Sequence, residues 1–104
     1  MRDVLIVHWK TEWIVALQRI AEAVTRKLSL PGSNWEEDSQ GGVLLTSGDD
    51  EFLITVDYTI NGATVVQYHY SIWRLEKEEE EVSGKRQRRR SAVGIGETGE
   101  LLRG

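Results

Sequence analysis

The chain has no cysteine, one proline and two histidines in 104 residues, and no apolar run approaches the length of a bilayer span. Without cysteine there are no disulfides, a pattern that fits a reducing compartment. A chain of this length holds one hydrophobic core without such staples. A spanning helix needs about 20 consecutive apolar residues, and the opening Met1-Arg2-Asp3 is followed by only four, Val4 to Val7, too few for a secretory signal. The expectation is an intracellular, cytoplasmic protein with no membrane association.

Catalytic signatures are equally scarce. There is no nucleophile motif, no phosphate loop and no dinucleotide fingerprint. Gly94-Ile95-Gly96 and Glu97-Thr98-Gly99 have a superficially similar glycine spacing, but they follow a charged stretch and precede no amphipathic helix. His8, His69 and Asp57 are the residues closest to acid–base or metal chemistry. The histidines lack the close spacing of a metal pair, and Asp57 beside Thr55 and Thr59 reads as solvent-facing. The sequence therefore predicts no enzyme activity, no cofactor and no metal.

Charge is present in quantity and unevenly placed. Met1 to Gly84 holds seven Lys/Arg against fifteen Asp/Glu, near −8, whereas the remainder holds six against two, near +4. An acidic body discourages direct contact with nucleic acid, while a basic arm attracts phosphate or an acidic protein face.

The strongest structural signal is Asn61-Gly62, a hairpin turn flanked by two β-rich runs between Phe52 and Leu75. In the first run Phe52, Ile54, Val56, Tyr58 and Ile60 share one face. In the second, Val66, Tyr68, Tyr70 and Ile72 oppose Val65, Gln67, His69, Ser71 and Trp73. A two-residue loop would split the apolar sets between faces. A bulge with Gly62 left-handed restores even opposite even.

Upstream, Val4 to Trp9 is β-branched and continuous, and reads as a short strand in preference to a helix begun at Asp3. Thr11 is a suitable N-cap for a helix with an apolar stripe of Ile14, Leu17, Ala21, Val24 and Leu28, widened by Trp13, Ala16 and Ile20. Pro31-Gly32 ends it. Ser33 to Gly42 reads as a loop, Val43 to Ser47 as a strand and Gly48 to Glu51 as a turn. Glu76 onward, with its Glu and Arg runs and Gly-rich end, reads as a flexible tail. The predicted fold is α+β: residues 1–75 form a two-layer sandwich, one helix on an antiparallel sheet of three to four strands in the order β-α-β-β-β, and residues 76–104 form a charged tail.

Three candidate surfaces follow. The acidic groups Glu36-Glu37-Asp38 and Asp49-Asp50-Glu51, with Trp35 as an anchor, suit a basic protein partner. An uncovered sheet face carrying Tyr68, Tyr70 and Trp73 suits a homodimer. The run Lys85, Arg86, Arg88, Arg89 and Arg90 suits nucleic-acid phosphate, nuclear import in a eukaryotic cell, or folding back on Glu78 to Glu81. Arg88-Arg89-Arg90-Ser91 also fits a basophilic kinase target. The size and charge have the character of compact viral or phage accessory proteins that bind a host factor. The leading expectation is a non-enzymatic protein-binding module, homodimeric, with a nucleic-acid-associated protein as the alternative. A chain ending at Ser83 would separate the two.

Overall fold

A computed structural model describes residues 2–61 and 64–97, with side chains over 13–59 and 67–97. One helix, α1 (Arg2–Leu28), precedes five strands: β1 (Asn34–Glu37), β2 (Val43–Ser47), β3 (Asp50–Asn61), β4 (Thr64–Val82) and β5 (Lys85–Glu97). The strands form one antiparallel sheet in the order β1-β2-β3-β4-β5, a meander in which every strand pairs with its neighbour in sequence. The α+β class holds, but the sheet has five strands and the helix comes before all of them.

Residues 4–9 are helical, which corrects the strand expected there. Neither glycine nor proline occurs from Arg2 to Leu30 to stop the helix, and the penalty for β-branched residues is only tenths of a kcal/mol each. Thr11 therefore lies inside α1 and not at its start. At the other end Leu30 N donates to Thr25 O (3.1 Å) and Ser29 N to Arg26 O (3.3 Å), with Ser29 at φ 52°. These two bonds form a Schellman cap whose left-handed position is filled by serine. Pro31 follows at once.

Ala16, Leu17, Ile20, Ala21 and Val24 of α1 are buried against Val43 and Leu45 of β2, Phe52 and Ile54 of β3, and Tyr70 and Ile72 of β4. Each fully buried aliphatic contributes roughly 1.5 to 3 kcal/mol, so this contact fixes which sheet face is covered. Ile14, expected on the buried stripe, is 51% exposed.

The β3–β4 register places Ile54 opposite Ile72, Val56 opposite Tyr70 and Tyr58 opposite Tyr68. Even residues thus oppose even ones. A shift between Thr59 and Ile60 achieves this, after which Asn61 pairs with Thr64. The turn expected at Gly62 lies outside the described residues.

On β5, Gly94 faces Ile72 and Gly96 faces Tyr70. A Cβ at Gly96 would fall inside the Tyr70 ring, so the missing side chain lets the ring lie across the strand. This glycine pair belongs to a strand. It also carries no nucleotide loop.

Two further corrections concern irregular segments. Asn34–Glu37 pairs with β2 as a strand, within the stretch expected to be a loop. Residues 76–97, expected to be a flexible tail, are the last seven residues of β4, a two-residue turn and all of β5. Their hairpin turns at Ser83 and Gly84, with φ 53° and 79° between the paired residues Val82 and Lys85. Positive φ at both central positions marks a type I′ turn. Residues 98–104 of the expected tail lie outside the described residues.

Candidate functional site: the open sheet face and the charged ribbon

Because α1 covers only one face, alternation sends the other residues of each strand to the opposite face. There Glu36, Leu44, Leu53, Trp73 and Ala92 form one row across all five strands, as their pairings show. Leu44, Leu53, Trp73 and Leu75 are partly exposed. Trp73 is held by its neighbours: Nε1 donates to Thr55 Oγ1 (3.1 Å), and the Arg90 guanidinium lies 4.6 Å from its ring centroid. A cation over an indole contributes about 0.5 to 1 kcal/mol where exposed.

Tyr68 and Tyr70 do not share this surface. Tyr70 is 3% exposed and belongs to the core, and Tyr68 packs against it on the helix side. Tyr68 also meets Trp13 and Tyr58 in an aromatic triangle with centroid separations of 5.7, 5.9 and 6.4 Å. Of the three aromatics expected on an open face, Trp73 alone is there. The parity of the sequence separates it from the two tyrosines. Leu44, Leu53, Thr55 and Arg90 were not singled out beside it, although the odd-numbered positions of β3 and β4 already placed Leu53 and Thr55 on that face.

Beyond Leu75, β4 continues where β3 has ended, so it and β5 form a two-stranded ribbon. Glu79 pairs with Arg88, Glu80 with Gln87 and Glu81 with Arg86. Side-chain contacts run diagonally between neighbouring pairs: Arg86 to Glu79 (3.3 Å), and Arg89 to Glu78 (3.2 Å) and Glu80 (3.8 Å). Arg88 anchors the base, donating to Glu51 Oε1 (2.8 Å) and the Glu76 carbonyl (2.9 Å). The basic run folds back on the acidic run, one of the three roles weighed for it. The signal was Ser83-Gly84 between runs of opposite sign, since oppositely charged cross-strand pairs favour a hairpin.

The acidic groups lie apart. Glu36 and Glu37 are on edge strand β1 and Asp38 starts the following turn, where its carboxylate accepts from Gln40 N (3.1 Å). Asp49 is at the other end of β2, in the β2–β3 turn. Asp50 and Glu51 are engaged by Arg74 (2.6 Å) and Arg88 (2.8 Å). Trp35 packs against the core and lines an open cleft of about 350 Å³ with Glu22, Thr25, Arg26 and Ser33. It is a wall of the fold as well as a surface residue. No single acidic face brings all seven residues together.

His69 sits on the open face opposite Asp57 in the register, with Nε2 3.2 Å from Thr59 Oγ1 and Nδ1 3.8 Å from Glu97. Asp57 accepts from Tyr58 N (2.8 Å). The side chain of His8 lies outside the described residues. Among the described residues no three His, Cys, Asp or Glu side chains are grouped to hold a metal ion, and no helix is long and apolar enough to cross a membrane.

Comparison of the chain with protein-family models, with curated proteins and with solved structures finds no match in any of the three.

Proposed function

We propose that the protein is a small non-enzymatic interaction module whose open sheet face associates with a second copy of itself. The observation that carries this reading is the row Leu44, Leu53 and Trp73, apolar and partly exposed, between Glu36 on β1 and Arg90 on β5. A two-fold axis along the strand direction lays β1 of one copy over β5 of the other. Glu36 then meets Arg90 at both ends of the row, Leu44 meets Trp73, and Leu53 meets its own copy at the centre.

The size of the face sets the strength. Five strands about 4.8 Å apart over some 20 Å of length offer roughly 500 Å² per copy. The total of about 1,000 Å² falls below the roughly 1,200 to 2,000 Å² of stable interfaces. The dimer is therefore weak and dissociates on dilution.

The alternative, a nucleic-acid-binding arm, is less favoured because the glutamates of β4 are interleaved with the arginines of the run, a mixed surface that suits phosphate poorly. Ending the chain at Ser83 no longer separates the two readings, since it removes β5 from beside Tyr70 and Ile72. The test is light scattering coupled to gel filtration across a concentration series, on the natural chain and on Leu53→Glu and Trp73→Ala. Dimerisation that both variants abolish, with thermal unfolding still cooperative, supports the reading. A monomer at every concentration, or a dimer indifferent to both substitutions, overturns it.

A further inference from the structure

The outer edge of β5 makes a second surface, independent of the open face. Among the described residues β5 is the last strand of the sheet and runs thirteen residues, against four for the opposite edge strand β1. A free edge offers a row of main-chain donors and acceptors to any extended segment. Among the described residues, one contact to it from outside the sheet is the bond from Lys27 Nζ to the Ile95 carbonyl (3.1 Å), near the strand's end. Toward its start the edge carries Lys85, Arg86, Arg88, Arg89 and Arg90.

We infer that this edge accepts an acidic extended peptide segment of a partner protein as a sixth strand, paired along Lys85–Ser91. Three arguments fix the class of partner. Charge comes first: alternation puts Arg86, Arg88 and Arg90 on one face of β5, and an incoming strand with Asp or Glu at alternate positions sets its carboxylates beside them on that face, the favourable cross-strand arrangement. The arginines are available for exchange, because the pairs of Arg86 and Arg89 are largely exposed, with side-chain accessibilities of 77% and 53% for the two arginines. Exposed pairs of this kind are weak and readily exchanged.

Secondly, a second copy of this chain is the wrong partner here. Edge-to-edge pairing of two β5 strands sets the same five cations against each other, which is how natural sheets discourage self-association. Thirdly, nucleic acid is the poorer polyanion. It cannot use main-chain donors and acceptors in a strand ladder, and the glutamates of β4 are interleaved with the arginines on both ribbon faces. A peptide uses the edge and the charge together.

The experiment titrates the full chain, isotopically labelled, with a synthetic peptide of alternating glutamate and valine matched to β5 in length. Its controls are the same peptide N-methylated at alternate residues on its hydrogen-bonding edge, and a single-stranded RNA of similar charge. The expected result is slowed hydrogen exchange confined to the Lys85–Ser91 amides, and affinity lowered by Arg86→Gln, which removes a largely exposed cation without setting like charges across the ribbon. Loss of several ladder bonds should make the N-methylated peptide at least about tenfold weaker. Equal binding of the N-methylated peptide or RNA, perturbation centred on Leu53 and Trp73, or no binding would each overturn the inference. The open-face dimer is read separately, by its own variants, so one reading can fail while the other stands.

Discussion

The ring of Tyr70 lies across Gly96 of the neighbouring strand, occupying the space a side chain at that position would need. Tyr70 is otherwise enclosed by the helix-covered face. The glycine therefore sets how far the core extends toward the sheet edge.

Gly96→Ala forces the Tyr70 ring to move within a packed core, and overpacking of this kind costs about 1 to 3 kcal/mol. Gly94→Ala meets its nearest side-chain atom, Ile72 Cδ1, at an ordinary 3.9 Å. It should leave stability within about 0.5 kcal/mol of the natural chain, as neutral substitutions do. Urea unfolding of the two variants checks the contrast. Equal losses would mean that the glycines serve strand conformation alone.

The helix supplies a second contrast. Leu17 is fully buried and Ile14 is 51% exposed, although both fall on the stripe that the helical spacing predicts. Leu17→Ala should cost about 2 to 5 kcal/mol. Ile14→Ala should cost under about 1 kcal/mol, since the side chain is only half removed from water. Thermal unfolding midpoints distinguish them, and a comparable drop for Ile14→Ala would place that residue in a contact the described side chains do not include.

Ser29 offers a stabilising change. It holds the left-handed position of the Schellman cap at φ 52°, a conformation that costs a residue with a Cβ about 1 kcal/mol relative to glycine. Ser29→Gly should recover part of that, raising stability by several tenths of a kcal/mol after the entropy gained by the unfolded chain is set against it. A lowered unfolding midpoint would show that the serine makes a contact worth more than the strain.

These residues show what was legible in the sequence. Alternation in β3 and β4 gave both the hairpin and its face-to-face register, because one face is buried and a slip would expose it. The helical stripe was legible from Leu17 to Val24 for the same reason. Val4 to Val7 misled because a short apolar run has no period, and the absence of any breaker up to Leu30 was the better guide. Strand β1 escaped because Trp35 is its one apolar side chain. The ribbon escaped because its pairing is written in charge, with no apolar alternation to mark it. The open face was half legible: parity put Trp73 on it, but parity also removes Tyr68 and Tyr70.

The ribbon makes the last prediction, and it turns on how little each ion pair contributes. An isolated two-stranded hairpin is marginal in water, and beyond Leu75 this one has, among the described residues, no third strand beside it and only Val82 as an apolar residue, which is 42% exposed. Its pairing rests on the I′ turn, the anchor at Arg88 and the sum of several weak charge contacts. Arg89→Glu places like charges against Glu78 and Glu80, so the ribbon should open while the helix-packed core remains. Amide exchange in Glu78–Gln87 should then accelerate well beyond that of Phe52–Val56. Adding Glu78→Arg restores one opposite-charge contact and should recover part of the protection, with a coupling of about 0.2 to 1 kcal/mol in the double-mutant cycle. Salt should shrink that coupling, because exposed charges are screened within about 10 Å at 0.1 M. A coupling that is absent at low salt, or unchanged at high salt, would mean that turn geometry holds the ribbon and that its charges serve only the partner.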